Sequence, residues 1–149
     1  MAEWTDTFRG VVVASEYDAT SYMNSHMYVS RFDQATWMLL KAIGLTPASM
    51  RAAGLRFAIM RQNCGFLREL RGGELIRIRS GVLAVGTKYF RLLHQMHDAE
   101  SDVMLATSDI VAVQASLQTG RSVKLDAALR HRAEALLVTA NAPDRALPA

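Results

Sequence analysis

The chain has 149 residues, half of them apolar, which suits one domain with its own core. A net charge of +3 with scattered arginines gives little support for nucleic-acid binding, and suits a phosphate-bearing small molecule better. The single cysteine, Cys64, excludes an internal disulfide framework and a cysteine-based zinc site. The apolar run Val11-Val12-Val13-Ala14 is too short for a signal core or a membrane span, so a cytoplasmic protein is expected.

Phe8 to Glu16 reads as a strand centred on β-branched Val11 to Val13. Tyr17 to Tyr22 is a polar turn. A long amphipathic helix runs from about Asn24 to Ile43 and is closed by Gly44, with Tyr28, Phe32, Ala35, Leu39 and Ile43 at helical spacing. Arg31, Gln34 and Lys41 interrupt its apolar surface. Thr46-Pro47 opens a short second helix that ends near Gly54. The period then changes to two. Strands are expected over Leu55 to Asn63, Glu74 to Val85, Tyr89 to His97 and Val103 to Leu117. A further extended piece spans Phe66 to Leu70, before the turn at Gly72-Gly73. Lys124 to Leu137 looks helical, with no strong reason to be a large core element. Residues 1–140 are expected to form one domain, and Asn141 to Ala149 a loose tail. The order describes an α+β domain whose mostly antiparallel sheet wraps one helix. Apolar residues on the second face of the sheet call for a partner subunit.

Asp18 stands just before the long helix. A helix N-terminus offers unpaired N–H groups and partial positive charge, which suit a developing oxyanion, and a carboxylate beside them can act as base or nucleophile. A turn residue or helix cap is the plain alternative for Asp18, and an N-cap is the plain alternative for Asn24. His94 and His97 lie three apart in a strand and so face opposite ways. They form no local metal pair, and no metal site is expected.

The element order, together with Asp18, Met23, Asn24, Tyr28, Phe32 and Asp33, resembles the hot-dog fold acyl-CoA thioesterases of the 4-hydroxybenzoyl-CoA thioesterase type. The similarity extends to the runs Phe32 to Trp37 and Phe66 to Glu74, and to His94, Met96 and Ala99-Glu100-Ser101. Phe32 to Trp37 looks most like a branch acting on small quaternary-ammonium acyl-CoAs. The resemblance implies a hot-dog fold and hydrolysis of a short or polar acyl-CoA without a cofactor. It also implies a homodimer or a tetramer built as a dimer of dimers. Asp18 would attack the thioester or activate water, the N–H near Ser25 would hold the oxyanion, and Asn24 would orient the carbonyl. Tyr22, Tyr28 and His94 would meet the substrate, and Lys88 and Arg91 the coenzyme A phosphates. Two positions depart from the pattern: Ser21 stands where the family has glycine, and Tyr22 where it has histidine. They keep open a protein that binds an acyl thioester without hydrolysing it. A hydratase on the same fold would need an Asp/His loop motif that is not present.

Overall fold

A computed structural model describes residues 4–140. The expected tail from Asn141 lies outside the described residues. The elements are β1 (Thr5–Val11), α1 (Ser25–Ala42), α2 (Pro47–Ala52), β2 (Leu55–Phe66), β3 (Leu75–Val85), β4 (Tyr89–Asp98), β5 (Met104–Ser116) and α3 (Ala127–Glu134). The five strands form one antiparallel sheet in the order β1-β3-β4-β5-β2. It wraps around α1, the α+β arrangement that the sequence order implies.

The helices begin and end where local chemistry dictates. Gly44 takes φ +89° just past α1, and the Leu45 N–H reaches back to the Leu40 carbonyl at 2.9 Å, satisfying one of the last orphan acceptors. Thr46 caps α2 by accepting the Ser49 N–H at 3.1 Å, with Pro47 at the first helical position.

Several boundaries differ from expectation: β1 begins at Thr5, before Phe8, and β2 runs on past Asn63 to Phe66, so the expected extended piece Phe66 to Leu70 forms no strand of its own. The first strand ends at Val11 rather than Glu16, because residues Ala14–Glu16 coil into a single 3-10 turn. The Glu16 carboxylate draws this turn back by accepting the Val13 N–H at 3.0 Å. The final helix is shorter than expected and contributes more to the core. Asp126 caps it through the Leu129 N–H at 2.7 Å, so it cannot start at Lys124. Leu129 and Ala133 are buried in the same apolar cluster as Leu40, Ile43 and Phe90, and Arg132 donates to the Ile43 carbonyl at 2.8 Å.

The core has two apolar halves. One gathers Leu39, Leu40, Ile43, Val82, Phe90, Leu92 and Ile110. The other gathers Tyr28, Phe32, Ala35, Ile76, Ile78, Met96 and Ala106. Between them a polar row crosses the inner face of the sheet: Thr7 on β1, Ser80 on β3, His94 on β4, Ser108 on β5 and Cys64 on β2. Ser80 pairs with His94, His94 with Ser108, and Ser108 with Cys64, all at one register. Thr7 and Ser80 share a hydrogen bond at 2.7 Å. Thr36 of α1 closes the row from above.

Candidate active site

A cleft of about 580 Å³ opens where the loop after β1 meets the N-terminus of α1. Asp18 and Tyr22 come from the loop, Asn24, Ser25 and Tyr28 from the helix, and Phe66 to Glu69 from the segment that leaves β2. The residues of the loop and of the helix start are close in sequence. The third wall is brought in by β2–β5 pairing, which places Phe66 opposite Ala106. The Leu67 and Arg68 N–H groups both reach the Leu105 carbonyl.

Asp18 lies in a narrow hairpin-like loop. Tyr17 bridges Met23, the Asp18 N–H donates to the Tyr22 carbonyl and the Ser21 N–H to the Asp18 carbonyl, both at 3.0 Å. The turn forces Ser21 to φ +69°, the left-handed region that favours glycine. The Asp18 carboxylate is divided in its contacts. Its Oδ1 accepts the Thr20 N–H at 2.8 Å and the Thr20 hydroxyl. Its Oδ2 makes no hydrogen bond of ordinary geometry among the described residues, although the nearby Tyr22 backbone also favours the charge. The Thr20 hydroxyl and N–H favour the charged form and hold the carboxyl below its ordinary value, so Asp18 is a carboxylate at neutral pH.

Asn24 occupies the N-cap of α1, yet its side chain makes no capping bond. The amide is therefore left to face the cleft. The Ser25 N–H belongs to the first turn of α1, where backbone donors have no intrahelical acceptor. Helix-dipole charge adds to those donors at the same point.

Tyr28 is buried and forms the floor. Its hydroxyl donates to the Arg68 carbonyl at 3.3 Å and accepts the Leu70 N–H at 3.1 Å. Its ring meets the edge of Phe66, with centroids 5.3 Å apart. Burial pushes its phenol above the ordinary value and keeps it neutral. Tyr28 thus holds the Phe66–Leu70 wall against the helix, and its hydroxyl is already engaged. The Tyr22 hydroxyl accepts two bonds from Arg71, at 3.0 and 3.3 Å, and the guanidinium lies over its ring. Gly72 follows closely beneath Tyr17: a Cβ there would stand 2.4 Å from that ring, so the turn and the Asp18 loop pack without space for a side chain.

Three expected site residues lie elsewhere. His94 is fully buried under α1, stacked on Phe32, with Nε2 bonded to Thr36 at 2.7 Å and Nδ1 to Ser80. Both nitrogens are occupied and the residue does not line the cleft, so within one protomer it is not placed to meet substrate. The sheet period placed it on the inner face, and the inner face here is core. Lys88 and Arg91 sit at the β3–β4 turn, whereas the cleft adjoins the start of β3. The 11 residues of β3 separate the two ends by roughly 30 Å. Arg91 is also held by Asp109 through two bonds, at 2.9 and 2.7 Å. Within one protomer neither cation reaches the cleft.

The sequence reading missed Phe66, Arg68 and Glu69 as cleft residues. Their run reads as a strand-turn segment, and only β2–β5 pairing places it beside Asp18. It also missed the pairing of Glu16 with Arg31. The available signal was a charged side chain in the otherwise apolar surface of the long helix.

Comparison with known proteins agrees with the fold. A family model described as the thioesterase-like superfamily matches residues 12–133. A betainyl-CoA thioesterase of Pseudomonas aeruginosa is 27% identical over 91% of this chain and 86% of its own. Among solved structures, a hypothetical protein of Staphylococcus aureus in complex with CoA superposes with a TM-score of 0.88 at 14% identity, covering 97% of this chain and 92% of that one. A 1,4-dihydroxy-2-naphthoyl-CoA thioesterase of Synechocystis gives a TM-score of 0.77 at 13% identity, over 87% and 95% of the two chains.

Proposed function

We propose a substrate and a mechanism from one premise: the chain belongs to the thioesterase-like superfamily, and it is a thioester hydrolase. The substrate in this reading is an acyl-CoA with a short, compact acyl group, and a quaternary-ammonium acyl fits the cleft best. The rings of Tyr28 and Phe66 and the carboxylates of Asp18 and Glu69 line one open space together with Arg68, so the groups that attract a small cation outnumber the one that repels it. The likeness to a betainyl-CoA thioesterase supports the same class.

The observation that carries the mechanism is the half-anchored Asp18 carboxylate in one cleft with the start of α1. Thr20 holds Oδ1, and Oδ2 works on the thioester carbon, by direct attack or by removing a proton from water. The carbonyl oxygen gains charge as the tetrahedral intermediate forms, and the Ser25 N–H with the α1 dipole stabilises it. Asn24 orients the carbonyl. Collapse of the intermediate breaks the C–S bond and expels coenzyme A thiolate. On the direct route the acyl group stays on Asp18 as a mixed anhydride that water then hydrolyses, its proton passing to the thiolate. On the water route the free acid leaves at once, and the proton taken up by Asp18 passes to the thiolate. No cofactor takes part. The enzyme acts in the cytoplasm as a homodimer or tetramer. Edge strand β2 supports assembly, since it exposes Ile59 and Met60.

The test is thiol release from a panel of short, branched, aromatic and quaternary-ammonium acyl-CoAs, by wild type and Asp18→Asn. The expected result is turnover of the quaternary-ammonium class that falls about 10³-fold in the variant, with the fold retained. Binding of acyl-CoA without turnover across the panel would favour a non-hydrolytic binding protein instead.

A further inference from the structure

Outside the cleft, the most committed polar group in the loop region is Glu16. It is buried, and its side chain is 2% exposed. Arg31, 17% exposed and two turns into α1, grips it with both arms: Nε donates to Oε2 at 2.6 Å and Nη2 to Oε1. The Val13 N–H also donates to Oε1. Burial pushes this carboxyl up, but the Arg31 bonds and charge and the Val13 N–H outweigh that, and its pKa lies below the ordinary value. The guanidinium in turn stacks over Phe8 of β1, 4.8 Å from the ring centroid.

The pair joins the two pieces whose relative placement the mechanism needs. Its carboxylate belongs to the turn two residues before Asp18, and its guanidinium belongs to the helix whose N-terminus faces Asp18. The main chain repeats the connection, since the Asn24 N–H donates to the Glu16 carbonyl at 2.8 Å. The Asp18 loop therefore leaves and re-enters at one clamped point. A buried ion pair contributes little net stability over an apolar pair, because desolvation offsets the attraction. Its fork geometry fixes orientation, which a hydrophobic contact would leave loose.

We propose that Glu16 and Arg31 are positioning residues, a buried clamp that sets the reach from the Asp18 carboxylate to the amides at the start of α1. This rests on the thioesterase reading of the cleft. Neither side chain touches the cleft, and misplacement by about 1 Å can cost a hundredfold in rate.

The experiment uses the full chain with Glu16→Gln, Arg31→Gln, Arg31→Lys and the Glu16→Gln/Arg31→Gln double variant. Two readouts are taken: kcat and KM per folded molecule, and amide hydrogen exchange at Asp18 and Ser21. The clamp predicts a kcat loss of about 10- to 100-fold in the two Gln variants, with KM changed less than about twofold. The double variant should be no slower than the worse single, because one device is lost once. Arg31→Lys should fall between, since it restores charge without the fork. Exchange at Asp18 and Ser21 should quicken about tenfold in the Gln variants while β3 and β4 amides stay protected. Unchanged kcat in folded single variants would overturn the proposal and leave the pair a packing feature. Unchanged loop exchange would overturn it too, and this arm needs no substrate. If wild type hydrolysed none of the panel, the functional reading would fall on its own, and the exchange result would still decide the clamp.

Discussion

Asp18 and His94 both carry shifted ionisation, and they use it in opposite ways. Asp18 sits exposed on a loop, and its pKa is lowered by hydrogen bonds that favour the charge. His94 sits fully buried, and desolvation pushes its pKa down to about 3, so it stays neutral. Asp18 keeps one oxygen open toward a cleft, while His94 has both nitrogens filled by hydroxyls. Thr36 donates onward to the Phe32 carbonyl at 3.0 Å, which makes it the acceptor of the His94 Nε2–H. Ser80 then donates to Nδ1. The contrast teaches that a perturbed pKa does not identify a working group. Unfilled hydrogen-bonding capacity beside a cleft does so better.

The largest effect that sharpens this contrast comes from acid. The unfolded chain takes up a proton on His94 below its ordinary value of 6.5, while the folded chain resists until about 3. The stability that neutral His94 provides is thus complete above pH 6.5 and is lost as pH falls toward 3. The loss approaches about 1.4 kcal/mol per pH unit, and about 5 kcal/mol over the whole window. Burial also lowers the His97 pKa, which adds to the slope with the same sign. Urea midpoints between pH 7 and 4.5 measure it, before most carboxylates titrate. A flat profile there would mean that His94 is not held neutral.

The next effect is that of His94→Leu. It leaves the Ser80 and Thr36 hydroxyls facing an apolar side chain, and should cost about 2–4 kcal/mol in equilibrium unfolding. Its kcat per folded molecule should stay within about twofold of wild type, and the acid slope should lose the His94 share. A large kcat loss in a folded variant would break the contrast and bring His94 into the chemistry.

The smallest effect lies on the loop. Ser21 holds φ +69° at a place where glycine is unstrained. Ser21→Gly should raise stability by about 0.5 kcal/mol, the left-handed penalty less the added freedom of the unfolded chain. A lower melting temperature would show that the Ser21 side chain has a favourable role there.

The sequence made the fold legible because its periods are strong: long runs at period two, one long run at the helical period, and punctuation at Gly44, Gly72 and Gly86. The loop-and-helix side of the cleft was legible for a local reason. Asp18, Asn24, Ser25 and Tyr28 lie within eleven positions, and chain connectivity alone brings them together. Phe66, Arg68 and Glu69 reach the cleft only through β2–β5 pairing, which no local pattern states. Within one protomer Lys88 and Arg91 lie toward the far end of β3 from the cleft, and no local pattern states which end of a strand adjoins it. The early end of β1 depends on Glu16 accepting the Val13 N–H, while the Arg31 that buries and holds that carboxylate lies fifteen residues further on.

The polar row across the sheet has a consequence for how the chain finds its alignment. Apolar alternation protects a strand against a slip of one residue, because such a slip turns every side chain to the wrong face. It offers no protection against a slip of two, which keeps each face correct. In this sheet a two-residue slip of β4 would bring Leu92 or Met96 against Ser80 and leave the serine hydroxyl buried among methyl groups. The row thus works as a vernier mark, detecting the one class of pairing error that the hydrophobic pattern cannot.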